Sequence, residues 1–103
     1  MDAAEEKTVD YEKLSDLLKA LANPVRLRIV HSLLRTGCHN VGCMEQGTGM
    51  SQSCISQHLQ KLRAAGIVTA KRSGNEVYYQ VSSPECASVA AALFGEECGN
   101  YVL

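Results

Sequence analysis

Hydrophobic residues recur with helical spacing along most of the chain, and polar residues fill the positions between them. The leucines of residues 10–21 predict a first helix. The apolar positions of residues 24–36 predict a second helix, with Asn23 as its N-terminal cap and Pro24 in its first turn. A short third helix is expected at about residues 40–46, because glycines bracket that stretch on both sides.

The stretch from Ser51 to Gly66 predicts a fourth helix with two distinct faces. Ser51 is a favourable N-cap, and Gly66 is a favourable residue just past the C-terminus. The i, i+4 and i+7 spacing of Ile55, Leu59 and Leu62 predicts a buried stripe. At about 100° per residue, the opposite face carries Ser53, Gln57 and Gln60, flanked by Ser56 and Lys61.

Serine and glutamine on that outer face indicate a binding function. A solvated helix face more often carries Glu and Lys, whereas hydroxyl and amide groups both donate and accept hydrogen bonds, as base edges and phosphates require. A polar helix that only faces solvent is the alternative for this segment alone. The third helix and the glycine-containing turn at residues 48–50 complete a helix-turn-helix pattern.

The period of the pattern changes to that of strands after the fourth helix. Residues 67–72 and 76–81 are β-branched and aromatic runs joined by Ser73-Gly74-Asn75, which predicts a β-hairpin. Lys71 and Arg72 lie next to its turn, where two bases on an extended ribbon reach phosphates or a minor groove. A hairpin directly after a recognition helix is a wing.

A last helix is predicted from Ser83-Pro84 to about Glu97. The first and last helices carry more apolar positions than one small core uses, so they are expected to pack across a two-fold axis in a homodimer. The predicted fold is mainly α with a small β-hairpin wing (α+β), a winged helix-turn-helix of about five helices. Its single domain spans residues 10–98, between a flexible tail at 1–9 and a C-terminal tail at 99–103.

Charge is unevenly distributed along a chain whose net charge is only −1. Residues 1–16 hold six acids and two lysines, whereas residues 46–75 hold no acid and four bases, namely Lys61, Arg63, Lys71 and Arg72. A basic patch beside a polar helix is typical of a DNA-binding surface.

The composition also predicts where the protein works. No apolar run approaches the roughly 18 residues that cross a membrane, and the acidic N-terminus lacks the pattern of a signal peptide. The chain is therefore expected to be cytoplasmic, without a membrane partner. Its five cysteines are expected to be reduced thiols that are available for metal or redox chemistry.

Three segments taken together are similar to one known family. ALANPVRLRIV at residues 20–30, SQSCISQHLQKLRAAGIV at 51–68 and GNEVYYQV at 74–81 resemble the ArsR/SmtB family of bacterial winged-helix repressors, over about residues 10–98. The resemblance implies a homodimer on double-stranded operator DNA, upstream of stress-response genes, that leaves the DNA when an inducer binds or modifies it. The recognition helices of such dimers enter successive major grooves about 34–36 Å apart, so the operator is expected to be an imperfect palindrome.

The resemblance also implies which residues face DNA. On the recognition helix and the wing these positions are Ser51, Gln52, Ser53, Ser56, Gln57, Lys71, Arg72 and Asn75. Helical geometry adds Gln60 to the set. His58 belongs to the family's Gln-His-Leu signature, but its angle places it beside the buried stripe, which favours a structural hydrogen bond over a DNA contact.

Inducer sites known in the family can be compared with the residues present. The zinc-type site on the last helix needs histidines, and residues 83–85 and 96–99 contain none, so zinc or nickel sensing there is not expected. The arsenic- and cadmium-type site uses a Cys-x-Cys pair on the third helix, where this chain has Cys38 and Cys43 at a different spacing. These two thiols are the candidate inducer and metal site, for As(III) or Cd(II) or for a bond with each other. No cofactor is expected to be required.

A persulfide or oxidant sensor is the alternative. That family pattern has one cysteine in the second helix and one near the end of the last. Cys98 occupies the latter position, but His31 stands in the former, so Cys38 would have to act as the resolving thiol. Cys54, near the buried stripe, is expected to behave as a small apolar residue. Cys86, in the first turn of the last helix, is similar, although the helix N-terminus predicts a lowered pKa for its thiol.

Two other protein classes fit the sequence less well. A thiol enzyme or redox carrier would need a Cys-x-x-Cys motif, or Ser, His and Asp at recognisable spacing, and neither is present. A structural zinc module would use the thiols, but the apolar content is sufficient for a core without metal. The chain is therefore predicted not to be an enzyme.

Overall fold

The computed structural model describes residues 8–37 and 39–95 of the chain. The helices are α1 (Tyr11–Leu21), α2 (Pro24–Thr36), α3 (Val41–Thr48), α4 (Gln52–Ala64) and α5 (Pro84–Phe94). The strands are β1 (His39–Asn40), β2 (Val68–Ser73) and β3 (Glu76–Val81). Five helices and a hairpin after α4 confirm the predicted winged helix-turn-helix.

Each helix begins at a polar side chain that accepts a hydrogen bond from the first turn. Asp10, Asn23, Asn40, Ser51 and Ser83 are the caps of α1 to α5 in that order. These caps satisfy backbone N–H groups that have no partner within the helix. The predicted caps of α2, α4 and α5 are confirmed.

The core is built around the inner face of α4. Ile55, Leu59 and Leu62 are each no more than 1% exposed, which confirms the predicted stripe. Ile29 and Leu33 of α2 belong to the same buried cluster. Burial of each such side chain contributes about 1.5–3 kcal/mol, so packing fixes which side of α4 faces outward.

The wing belongs to a three-stranded antiparallel sheet with the strand order β1-β3-β2. β2 and β3 pair along their whole lengths, and Gly74 and Asn75 form the turn between them. Gly74 has a φ of +64°, a conformation that glycine adopts without a steric penalty. The predicted hairpin is confirmed.

Strand β1 is a feature that the hydrophobic pattern does not predict. His39 pairs with Tyr79 and Asn40 with Tyr78, so the residues just before α3 are joined to the wing strand β3. A strand of two residues has no alternation to detect, and its partner lies far along the sequence. The start of α3 is thus part of the same sheet as the wing.

Two helix ends differ from the prediction. α3 continues to Thr48, because it is Gly49, with a φ of +75°, that takes the left-handed conformation at its C-terminus. α5 ends at Phe94 instead of about Glu97, and Gly95 follows with a φ of +61°. Cys38, residues 1–7 of the predicted N-terminal tail, and residues 96–103, which include Cys98, lie outside the described residues.

The outer sides of α1 and α5 carry exposed apolar side chains. Tyr11 and Leu18 on α1 are 77% and 54% exposed, and Leu93 on α5 is 59% exposed. These are the two helices for which the sequence predicts a role in dimerisation. None of the helices in the described ranges has the length and apolar character needed to cross a membrane.

Candidate nucleic-acid interface

The polar face of α4 points away from the core, as its spacing predicts. The side chains proposed to face DNA from this helix and its cap are exposed at Ser51, Gln52, Ser53, Gln57 and Gln60 and half-buried at Ser56. The hydroxyl oxygen of Ser51 accepts from the N–H of Cys54 at 3.2 Å. The same hydroxyl therefore fixes the start of α4 and keeps its own proton for a further acceptor.

Three further candidates are exposed on the wing. Asn75 lies in the turn, and Lys71 and Arg72 precede it on β2. Successive side chains of a strand point to opposite faces of the sheet. The two cations therefore leave the wing on opposite sides.

A polar cleft of about 430 Å³ lies between the start of α4 and the wing. Gln52 and Ser56 line it from α4, and Asn75 lines it from the wing turn. The structure thus brings three of the predicted residues together. The remaining lining residues come from β1, the start of α3 and β3, and are Asn40, Val41, Gly42, Glu76, Val77 and Tyr79.

Two other predicted residues lie outside this cleft. Gln57 and Gln60 border a separate shallow groove with Lys61 and Ala64, further along α4. The outer face of α4 is therefore divided, with hydroxyl and amide groups in the cleft near its start and amides beside a lysine near its end.

The basic patch predicted from the sequence consists of accessible charges. Lys61, Arg63, Lys71 and Arg72 are all exposed. None of them forms an ion pair with a carboxylate among the described residues. Unpaired cations of this kind bind phosphates by displacing counterions.

One acidic residue interrupts this basic region, and sequence reasoning did not single it out. Glu76 is the only acid between residues 46 and 84. Its Oε1 accepts hydrogen bonds from Nδ2 of Asn40 and, at 3.2 Å, from the hydroxyl of Tyr78. The hydrogen bond that Tyr78 donates to Glu76, together with the negative charge of Glu76, raises the pKa of Tyr78.

His58 of the Gln-His-Leu segment makes a contact within the protein. Its Nδ1 lies 3.3 Å from Nη1 of Arg26, whose Nε donates to the carbonyl oxygen of Ala20 at 2.6 Å. A guanidinium has only donors, so Nδ1 must be the acceptor of a neutral ring. Burial, and then the charges of Arg26 and Lys61, lower the pKa of His58. The contact favours the predicted structural role, because it joins α4 to α2.

Cys43, the described member of the candidate thiol pair, is exposed in the first turn of α3. Its N–H donates to Oδ1 of Asn40 at 2.8 Å. With His39 and Met44 it lines a cavity of about 100 Å³ between α2 and α3. Its proposed partner, Cys38, lies outside the described residues. Within those residues, no three His, Cys, Asp or Glu side chains are grouped so as to hold a metal ion.

The other described cysteines differ from each other. Cys54 is half-buried on α4, consistent with the expected role as a small apolar residue. Cys86 is fully buried, and burial raises the pKa of its thiol to about 11. The predicted lowering of that pKa is wrong, because loss of hydration around the thiolate outweighs the field of the helix N-terminus.

The second-helix position of the persulfide pattern holds an aromatic contact. The ring of His31 stacks on Phe94 of α5, with ring centroids 4.0 Å apart and an angle of 23° between the planes. At this position, where the persulfide pattern has a cysteine, the imidazole of His31 forms a contact between α2 and α5. Cys98, the other member of that pattern, lies beyond the described residues.

Comparison with proteins of known sequence identifies related regulators. The profile of the family described as "Bacterial regulatory protein, arsR family" matches residues 23–70, from the cap of α2 into β2. The nodulation protein NolR of Rhizobium meliloti is 41% identical over 88 residues, which cover 85% of this chain and 71% of that protein. The biofilm growth-associated repressor of Xylella fastidiosa (strain 9a5c) is 36% identical over 88 residues, covering 85% and 76%.

Solved structures share the fold. HlyU from Vibrio cholerae N16961 has a TM-score of 0.78 at 36% identity, covering 84% of this chain and 94% of that one. The homodimeric winged helix-turn-helix DNA-binding domain of Mb0332 from Mycobacterium bovis has a TM-score of 0.73 at 32% identity, covering 82% and 77%.

Proposed function

This chain belongs to the arsR family of bacterial regulatory proteins, and we propose that it acts as a homodimer that binds operator DNA and releases it when cysteine thiols react. Membership of this family makes the protein a DNA-binding repressor of transcription and not an enzyme. A repressor of this kind acts in the cytoplasm.

The observation that carries the proposal is the polar cleft between α4 and the wing. Gln52 and Ser56 face it from the helix and Asn75 from the wing turn. Hydroxyl and amide groups of this kind bind base edges and phosphates. The exposed cations on α4 and β2 supply the charge that DNA binding requires.

We assign the predicted residues to two kinds of contact. Side chains of α4 that both donate and accept are placed on base edges in the major groove, namely Gln52, Ser53, Ser56, Gln57 and Gln60. Ser51 at the helix N-terminus and Lys71, Arg72 and Asn75 on the wing are placed on phosphates or in a minor groove. The first group would determine sequence preference, and the second would determine overall affinity.

The dimer is placed on α1 and α5. Tyr11, Leu18 and Leu93 expose apolar surface on these two helices, and one such patch covers another across a two-fold axis. The Mb0332 domain, which is similar to this chain, is homodimeric. Two recognition helices related by a two-fold axis fit an imperfect palindrome with half-sites about 34–36 Å apart.

The inducer is placed at Cys38 and Cys43. Cys43 is exposed at the start of α3, next to a strand that pairs with the wing, so its modification is close to the DNA surface. Thiolates are preferred ligands of soft ions, which makes As(III) and Cd(II) the first candidates. Oxidation or persulfidation that uses Cys98 with Cys38 is the alternative chemistry.

The test is fluorescence anisotropy of the reduced protein on DNA from its own upstream promoter. As(III), Cd(II), peroxide and a persulfide donor are then added separately. Release by the ions alone, abolished in the Cys38→Ser/Cys43→Ser variant but kept in Cys98→Ser, supports the ligand site. Release by the oxidant or sulfur donor alone, reversed by a reductant and lost in Cys98→Ser, would instead favour the redox alternative. A protein that does not bind this DNA would contradict the proposal.

A further inference from the structure

The side chain of Asn40 makes two hydrogen bonds in different directions. Its Oδ1 accepts from the N–H of Cys43 at 2.8 Å, which caps α3. Its Nδ2 donates to Oε1 of Glu76, the first residue of β3 after the wing turn. The backbone of Asn40 also pairs with Tyr78 in that strand. One amide group therefore connects the start of α3 to the base of the wing turn.

Glu76 is an unexpected residue at this position. It lines the same cleft as Gln52 and Ser56, where its negative charge opposes the approach of DNA phosphates. Its Oε1 accepts from both Asn40 and Tyr78. Because its charge opposes DNA binding, any contribution of this carboxylate to affinity must come from the positions that its hydrogen bonds fix.

We infer that Asn40 is a positioning residue that sets the wing against the start of α4 and ties the wing to the cysteine-bearing start of α3. Apart from this contact, the described part of β1 joins the wing strand through a ladder of two residue pairs. Loss of the Asn40–Glu76 hydrogen bond would leave the wing turn freer in the unbound protein. Binding to DNA would then have to order the wing as well, which lowers affinity.

The same contact provides a route from the thiols to DNA, and this step rests on the proposed function. The N–H of Cys43 is bonded to the amide whose other end holds Glu76. A ligand or oxidation that moves the first turn of α3 therefore moves Asn40 and the wing turn with it. The wing and the recognition helix would no longer meet DNA together, and the affinity would fall.

The first test is a double-mutant cycle in operator affinity. Asn40→Ser keeps an N-cap on α3 but is too short to reach Glu76. We expect it to weaken binding about fivefold in the otherwise unchanged protein, but less than about twofold in a Lys71→Ala/Arg72→Ala background, because a wing without its cations gains little from being positioned. Equal losses in both backgrounds would mean that Asn40 is merely structural, and would overturn the inference.

A matched pair of variants tests the same contact from the wing. Glu76→Gln and Glu76→Ala both remove the negative charge, but only glutamine keeps an oxygen that accepts from Asn40 and Tyr78. We expect Glu76→Gln to bind the operator at least as tightly as the unchanged protein, and Glu76→Ala to bind about fivefold more weakly than Glu76→Gln. Equal affinities of the two variants would contradict a positioning role.

The link to the thiols is tested with Cd(II) as the probe. The measured quantity is the ratio of operator dissociation constants with and without Cd(II), and we expect this ratio to be smaller in Asn40→Ser than in the unchanged protein. Equal ratios would overturn the link and leave the proposed function intact. If the unchanged protein is not released by Cd(II), the proposed ion site fails, while the double-mutant cycle still decides whether Asn40 positions the wing.

Discussion

The starts of α4 and α3 both line the cleft beside the wing, but the core anchors them to different extents. α4 is anchored by Ile55, Leu59 and Leu62, which are at most 1% exposed. α3 buries one side chain, Met44, and its first turn is also held by the side-chain hydrogen bonds of Asn40 and by the short strand β1. Packing of aliphatic side chains contributes several kcal/mol, whereas one hydrogen bond contributes about 0.5–1.5 kcal/mol.

This difference suits the two regions to different roles. A helix anchored by packing presents the same polar face whether or not an inducer is present, as a DNA-binding surface must. A segment with one buried side chain and a few hydrogen bonds changes its position at lower cost, as an inducer site must.

The largest contrast is expected in thiol reactivity. Cys43 is exposed at the start of α3, whereas Cys86 is buried in the core. With the pKa of Cys86 raised to about 11, only about one thiol in a thousand is ionised there at pH 8. We expect iodoacetamide at pH 8 to label Cys43 at least about a hundredfold faster, as measured by mass spectrometry of the peptides. Labelling in urea is the control, since unfolding should make the two rates similar. Similar rates in the folded protein would instead show that the core opens readily.

Stability should distinguish the two faces of α4. Leu59→Ala removes a buried side chain, so we expect the free energy of unfolding in urea to fall by about 2–5 kcal/mol. Gln60→Ala, the adjacent residue on the exposed face, is the matched control and should stay within about 0.5 kcal/mol of the unchanged protein. A large loss in Gln60→Ala would mean that the polar face also holds the fold.

DNA binding should depend on the outer face of α4, which contributes little to stability. Gln57→Ala is expected to cost about 1–3 kcal/mol of discrimination between the operator and a scrambled duplex, because an amide that bonds a base edge is lost. The measurement is a competition anisotropy assay, accompanied by a melting curve that should be unchanged. If affinity for both duplexes falls equally, Gln57 contacts phosphate and not a base.

The predictable part of the molecule is the part held by packing. The stripe of α4 has a period that the sequence displays, and the turn at Gly74 has recognisable chemistry. The Asn40–Glu76 contact joins residues 36 positions apart and has no period, so only the folded chain reveals it. The pKa of Cys86 was mispredicted for a related reason, because position in a helix is visible in the sequence but depth in the core is not.

The wing should contribute affinity without sequence preference. Lys71→Ala removes a charge from β2, so we expect weaker binding to operator and scrambled duplex alike, and a slope of log affinity against log salt that is smaller by about one. Arg72→Ala tests the other face of the strand, since both side chains are placed on DNA but leave opposite faces. Equal effects of the two variants would show that DNA wraps around the wing.

The smallest effect is expected from His58, which joins α4 to α2 by a hydrogen bond instead of by packing. Its Nδ1 must be unprotonated to accept from Arg26, and burial together with the charges of Arg26 and Lys61 lowers its pKa below the value in the unfolded chain. The unfolded chain therefore takes up the proton at the higher pH, so this contribution to stability is present above the unfolded pKa of about 6.5 and is lost as the pH falls through the folded pKa. We expect the midpoint of urea unfolding to drop between pH 7.5 and 5.5 by less in His58→Asn, whose amide oxygen accepts without titrating, than in the unchanged protein. Equal drops would assign the pH dependence to other groups and leave packing alone as the anchor of α4.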